Sequence, residues 1–544
     1  MTIILKSMCI KSIAASGSAC LIYAVAALLV VSGCTSLPPA ADYPKTVSAA
    51  LAHPEDTKLG QYFNSAAQAN EGNSGFRIIA TGADGFVLRM QMINAAQRSI
   101  DLQYYIFHGD ETGRLLTGAL ISAADRGVRV RILIDDGETE PGDEQIAALE
   151  GHPLIEVRIF NPFAYRGHNQ FLRATEFLFN SARLDYRMHN KLLIIDNAIA
   201  LIGGRNVGDQ YFQIDPDSQF ADDDMFSVGP IIEDLSATFD EFWNNKLSIP
   251  DRALSDTGPD GHKLNDHRLE LKAESRQLKA DGVDFVNQIA SGEPFNGILA
   301  GRQNLVWAHA QLVSDSPDKK KAESGEMVGR LMHRAVFQAV SSVQTELLMI
   351  TPYFVPGKEG MQMFSDLRAK QVRVRVLTNS LESSTVLLAQ SGYIHYRKPL
   401  LTAGVELYEI RAHLGNSKGS GQTAHMSSFG NYSLHGKLFV MDRRKLFIGS
   451  MNFDQRSMHL NTEIGLLIDS PVLAQQVAAR FEAMTRPQNA YNLVFNSDAA
   501  HQDDIVWLTQ EDGHAVTYLT EPARSGWQRF EANFFALLPI GSEL

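Results

Sequence analysis

The chain has 544 residues, 44% of them apolar, and a formal net charge of −13. That length is enough for two domains of ordinary size, each with its own core. An acidic balance of this kind carries no electrostatic footprint for long nucleic acid, so a nucleic-acid partner is not expected.

Lys6 and Lys11 are the only charges before Cys34, and an apolar stretch with Leu21, Ile22, Val25, Leu28, Leu29 and Val30 follows them. The stretch falls short of the roughly 20 apolar residues a membrane span needs. A positive region, a short apolar region and small residues before a cut describe a secretory signal peptide over 1–33. The closing Val-Ser-Gly-Cys, at 31–34, resembles a bacterial lipobox. That resemblance implies lipidation of Cys34 and a chain anchored on the periplasmic side of the cell envelope. Thr35 in place of Asp then points to the outer membrane. Cys9 and Cys20 would leave with the leader, so no thiol, disulfide or Cys-based metal site remains. Residues 34–75 read as a tether.

The rest of the chain contains itself twice. SIDLQYYIF (99–107) is answered by ELLMITPYFV (346–355), GVRVRILIDD (127–136) by QVRVRVLTNS (371–380), and LIEVRIF (154–160) by GVELYEI (404–410). These short β-branched runs between Gly, Asp, Asn or Pro read as strands. Helical patterns separate them, as where Phe86, Met90 and Ile93 share one face. Alternating strands and helices predict a duplicated α/β fold, each copy a mostly parallel or mixed sheet flanked by helices. The first lobe is expected over 76–253 and the second over 322–490. The polar stretch 254–321 reads as a connection with some helix. Its Lys319, Lys320 and Lys321 read as a solvated surface, with anionic headgroups as the other use of such a run.

The candidate site is also written twice. RMHNKLLIIDNAIALIGGRN (187–206) and SLHGKLFVMDRRKLFIGSMN (433–452) both fit H-x-K, four residues, Asp, six residues, Gly-Gly/Ser-x-Asn. The elements are His189, Lys191, Asp196 and Asn206, then His435, Lys437, Asp442 and Asn452. Residues i and i+2 of a strand share a face, so each His and Lys point one way. Each run then reads as a hairpin turning at Asp196–Asn197 and at Asp442–Arg444. The return strand would bring each Asn back beside its His-Lys pair. One imidazole, one ammonium and one amide from each lobe suit attack on a phosphodiester. Imidazole serves as nucleophile or acid, and the ammonium groups neutralise charge. No histidine or acidic cluster has metal-ligand spacing, so no metal is expected.

With these two motifs the sequence resembles the phospholipase D superfamily. LQYYIF (102–107), RGVRVRILIDD (126–136), GGRNVGDQYF (203–212) and TYLTEPARSGWQRF (517–530) resemble the bacterial cardiolipin synthases, particularly the C-type. The resemblance covers most of the chain from about Gly75 onward. It implies an active site between two pseudo-symmetric lobes, metal-independent chemistry without a cofactor, and a phosphohistidine intermediate. His189 would be the nucleophile and His435 the acid-base group, an order the residues alone do not set. Asp196 and Asp442, although part of the catalytic motif, would be structural. Acidic residues downstream would orient the imidazoles: Glu463, and Asp224 with Asp222 and Asp223 as rivals. The implied reaction captures a phosphatidyl group on histidine and passes it to phosphatidylglycerol, with phosphatidylethanolamine as a donor. Water as acceptor would make the enzyme a hydrolase releasing phosphatidic acid, and a nucleic-acid phosphodiesterase is a further alternative. Residues 491–544 form an extension in which Trp527, Phe530, Phe534 and Leu537 recur at helical spacing, either at a membrane interface or packed on the second lobe.

Overall fold

The structure, a computed structural model, describes residues 42–137, 144–167, 169–213, 218–254, 261–280, 295–327, 329–413, 431–498, 501 and 504–537. The proposed leader and Cys34 lie outside the described residues.

Among the described residues, nine strands come from the first half: β1 (Ser74–Ile79), β2 (Ser99–Tyr104), β3 (Arg129–Asp135), β4 (Ile155–Phe160), β5 (Leu192–Ile195), β6 (Ile199–Gly203), β7 (Ser218–Ala221), β8 (Asp224–Val228) and β9 (Ser248–Pro250). The second half contributes β10 (Val306–Ser314), β11 (Glu346–Ile350), β12 (Arg373–Asn379), β13 (Glu406–Ile410), β14 (Asn431–Leu434), β15 (Leu438–Met441), β16 (Lys445–Gly449), β17 (Ile464–Asp469), β18 (Ala490–Phe495), β19 (Ile505–Glu511) and β20 (His514–Tyr518). The three repeated strand pairs of the sequence are β2/β11, β3/β12 and β4/β13. They form the parallel centre of each lobe. The remaining pairings run antiparallel, in the order β9-β4-β3-β2-β5-β6-β8-β1 and β18-β13-β12-β11-β15-β16-β17-β10. β1 pairs with β10, so both lobes share one sheet, which β19 and β20 bring to 18 strands among the described residues. β7 and β14 pair in parallel across the lobe boundary.

Each lobe packs helices on its outer face, where Phe86, Leu116 and Val130 are buried in the first and Val336, Phe364 and Val374 in the second. The inner faces meet in one apolar layer. Met188 and Leu192 of the first lobe bury with Leu434, Leu438 and Ile464 of the second. Each large side chain fully buried there contributes about 1.5–3 kcal/mol, so the lobes are held together by a core and not by surface contact.

The aspartate of each motif pins the hairpin. Asp196 and Asn197 have φ of 53° and 49°, and Asp442 and Arg443 both have 52°. Side chains that bond locally tolerate this left-handed conformation. The Asp196 carboxylate accepts from the N–H groups of Gln97, Arg98 and Ser99 at 2.7–3.2 Å, and Asp442 does the same for Gln344, Thr345 and Glu346. Both therefore fasten the hairpin to the start of the central strand, and neither carboxylate bonds an imidazole.

Three expectations need correction. The stretch 34–75 is not a free tether over its described part. Arg131 and Arg158, buried in the sheet, donate to the carbonyls of Ser48 and Thr46, and the helix Lys58–Ala69 packs Leu59 and Phe63 inward. The connection 254–321 carries the long strand β10, paired with both β1 and β17, after the helix Gly261–Ala280. Lys319 is no surface charge: it is fully buried, with its ammonium donating to Asp315 and to the carbonyls of Ser457 and Asn461.

Asp196→Ala removes the acceptor of three N–H groups, of which that of Ser99 is buried, so the variant should be less stable by about 2–3 kcal/mol. Asp442→Ala, at a more open turn, should cost less. Chemical unfolding of the two variants against wild type checks the order.

Candidate active site between the lobes

The H-x-K segments leave the sheet. His189, Asn190 and Lys191 precede β5, and His435, Gly436 and Lys437 lie between β14 and β15. The strand predicted there is absent because the backbone pairs with the opposite lobe. His189 N–H donates to the Thr462 carbonyl and Thr462 N–H to that of Arg187, while the N–H groups of His435 and Gly436 donate to the Ala221 carbonyl. The predicted sidedness survives. Asn190, facing away from the histidine, accepts from the Thr462 hydroxyl at 3.1 Å.

The orienting carboxylates follow the same crossing. Glu463 of the second lobe holds His189 Nδ1 at 2.9 and 3.0 Å, and Asp222 of the first lobe holds His435 Nδ1 at 2.5 Å. A carboxylate accepting from Nδ1–H leaves Nε2 as the free basic nitrogen of each ring. The best match by sequence, Asp224, is elsewhere. Its carboxylate pairs with buried Arg89 and Arg205 at 2.8 and 2.9 Å. Asp223 pairs with Arg480 across the lobe boundary. Register explains the error. Gly203 pairs with Asp224, and Gly449 with Gly465, so Asp222 and Glu463 each lie two residues ahead of equivalent positions. The longer segment between motif and acid in the first lobe hides this, and counting back from the strand DMFSV would have revealed it.

The small residues of the motif make room for these acids. A Cβ on Gly204 would stand 2.2 Å from Asp222 Oδ1. The equivalent Ser450 donates its hydroxyl to Glu463. Lys191 Nζ donates to the His189 carbonyl at 2.7 Å, and Lys437 Nζ lies 3.3 Å from His435 Nε2. Asn206 accepts from Ile106 N–H and donates to the Tyr211 hydroxyl, while Asn452 is buried with its Oδ1 unpartnered among the described residues. Sequence reasoning missed the aromatic walls. Tyr105 stands edge-on to His189, and Tyr211 and Phe220 flank His435, each at 5.1 Å between ring centroids.

Burial dominates the electrostatics. It lowers the proton affinity of both histidines, and the neighbouring ammonium groups lower it further. His189 falls well below its usual value and His435 to about 3. Lys437 acts on His189 and Lys191 on His435, so one cavity holds all four. Burial also brings Lys437 down to about 8 and Glu463 up to about 7. For Asp222 burial works upward, but the positive neighbours prevail and hold it below the carboxylate range. The resting site thus carries neutral imidazoles, and burial also lowers the proton affinity of Lys191 well below its usual value. A phosphodiester anion between them would offset the lysine repulsion and raise the histidines' affinity for a proton. Among the described residues no group of three or more His, Cys, Asp or Glu side chains is placed to hold a metal ion.

Two lobes of one plan, each giving an H-x-K pair to a common site and a carboxylate to its neighbour's histidine, define a phospholipase D superfamily fold. A family model described as cardiolipin synthase, PLD-like domain, matches residues 90–243 and 336–485. The chain is 34% identical over 472 residues to Cardiolipin synthase C of Escherichia coli (strain K12), covering 86% of this chain and 96% of that protein. It is 31% identical over 495 residues to an uncharacterized protein of Helicobacter pylori (strain ATCC 700392 / 26695), covering 89% and 93%. Probable cardiolipin synthase YwiE of Bacillus subtilis (strain 168) is 23% identical over 411 residues, covering 75% and 65%. The chain belongs to the cardiolipin synthase family of PLD-like proteins.

Asp222→Asn should keep the fold and lower turnover by about 10²–10⁴-fold, since an amide can turn its NH2 to Nδ1 and no longer fixes the His435 tautomer or supplies negative charge. Asp224→Asn should instead lower stability, because two buried guanidinium groups lose their counter-charge. Thermal unfolding and turnover measured together separate the two. A histidine with lowered proton affinity stabilises the fold above its unfolded value of 6.5 and ceases to do so as pH falls. Between pH 6 and 4, His435→Asn should therefore flatten the fall in stability by up to about 1.4 kcal/mol per pH unit. Urea unfolding across that range checks the slope.

Proposed function

We propose that this chain is a membrane-associated phosphatidyltransferase that makes cardiolipin from phosphatidylglycerol and a second phospholipid, phosphatidylethanolamine being the donor expected from the C-type resemblance. The observation that carries the reading is the pair of imidazoles, each with Nδ1 held by a carboxylate and Nε2 left basic, beside two buried ammonium groups. His189 Nε2 attacks the donor phosphorus, and the bond to the headgroup oxygen breaks as His435 Nε2–H gives that oxygen its proton. The phosphatidyl group then sits on His189, while Lys191 and Lys437 neutralise its non-bridging oxygens. Neutral His435 next takes the proton of a phosphatidylglycerol hydroxyl. The new oxygen–phosphorus bond forms, the nitrogen–phosphorus bond breaks, and His189 returns to its resting form. Within this reading the chain is anchored through Cys34 on the periplasmic side of the envelope. No described helix is long and apolar enough to cross a membrane.

The test uses wild type and His435→Ala in vesicles of phosphatidylglycerol and phosphatidylethanolamine with EDTA, with products read by mass spectrometry. Wild type should form cardiolipin despite the chelator, and the variant should be slower by about 10³-fold or more. Phosphatidic acid without cardiolipin would make the enzyme a hydrolase. No lipid turnover would overturn the reading.

A further inference from the structure

Surface helices of a folded chain normally turn their apolar side inward. Two helices of this protein do the reverse. The helix Gln170–Leu184 is fastened by polar groups. Arg173 donates to the Asp136 carbonyl, Glu176 accepts from Ala164 and Tyr165 N–H, and Arg183 donates to Asn161 Oδ1. Its outer side exposes Phe171 (76%) and Leu178 (71%) beside exposed Leu172 and Phe179. The helix Gly526–Ala536 is held in the same manner, with Gln528 donating to the Leu381 carbonyl at 2.8 Å, Arg529 to that of Glu521 and His395 to that of Ala536. It exposes Trp527 (65%), Phe530 and Phe534, stacked in a row at 5.3 and 6.4 Å, and then Leu537.

The two ridges occupy related places. Arg173 reaches the chain just past β3 and Gln528 the chain just past β12, which are equivalent strands of the two lobes. Those same strand ends hold the histidine segments. Asp135 accepts from Met188 N–H at 2.7 Å and Asn379 from Leu434 N–H at 2.8 Å, each one residue ahead of the histidine. The apolar ridges therefore flank the site, one on each lobe. Contiguous exposed apolar surface marks a partner or a membrane.

We infer that the outward apolar faces of Gln170–Leu184 and Gly526–Ala536 seat the mouth of the site on a phospholipid bilayer. The occupant is a lipid surface because aromatic and leucine side chains stand beside the exposed basic Arg524 at the second ridge. That combination suits the interface between acyl chains and headgroup phosphates. The sequence past the exposed end of the second ridge continues as Leu538, Pro539 and Ile540. A chain of net charge −13 is repelled by anionic lipid at long range, so its contact must come from local apolar and arginine groups such as these. The inference rests on the proposed lipid reaction only for why the site should face a membrane.

The test reconstitutes the full chain in vesicles of phosphatidylglycerol and phosphatidylethanolamine carrying bromine on the acyl chains. Trp527 fluorescence should be quenched, and Trp527→Phe should remove that quenched component. The triple variants Phe171→Ser/Leu178→Ser/Phe179→Ser and Trp527→Ser/Phe530→Ser/Phe534→Ser should each lower turnover of vesicle lipid by about tenfold or more. Turnover of monomeric short-chain phosphatidylglycerol should be unchanged. Unquenched Trp527, unchanged vesicle turnover in both triple variants, or a dimer that these substitutions dissociate would overturn the inference. If wild type turns over neither lipid form, the reaction reading fails, and Trp527 quenching still decides the membrane contact.

Discussion

The crossed histidine–carboxylate pairs are the constraint on which the rest of the structure depends. His189 takes its carboxylate from the second lobe and His435 from the first. Neither lobe alone can orient its own imidazole. The backbone follows the same logic, since each histidine segment gives up a place in its own sheet to pair with Thr462 or Ala221 opposite. The shared apolar layer, the β1–β10 junction and the Asp223–Arg480 ion pair hold the geometry that this crossing requires. Duplication with exchange turns two copies of one motif into a single site.

Burial gives that site its chemistry. Ammonium groups are rarely taken out of water without a counter-charge. Here Lys191 and Lys437 sit beside Asp222 and Glu463, and much of their effect falls on the two histidines. Neutral imidazole at rest is the form a nucleophile needs. In the proposed reaction a bound phosphodiester anion would restore a proton to the second ring, so the acid form would arise where it is used.

The repeated parallel strands and both full motifs were legible in the sequence because period-two patterning and duplication reinforce each other. The hairpin turns at Asp196 and Asp442 were readable from the residues, whereas the structural part of the two carboxylates came only from the family resemblance. What stayed hidden depends on contacts between the halves. Asp222 could not be separated from Asp224 by spacing, because the segment before it differs in length from its counterpart before Glu463. H-x-K reads as strand by period, yet its hydrogen bonds go to the other lobe. Lys319 reads as a surface charge until Asp315 and two carbonyls enclose it. Tyr105, Tyr211 and Phe220 carry no local signal, and their role comes from ring contacts that the fold creates.

Nitrogen-15 NMR of the histidine rings tests the crossed pairs most directly, by reading the tautomer of His189 and His435 in wild type, Asp222→Asn and Glu463→Gln. The account predicts that Asp222→Asn perturbs the His435 ring and leaves His189 in the Nδ1–H form, while Glu463→Gln does the opposite. Perturbation of the histidine in the same lobe as the substitution, or of neither ring, would contradict it.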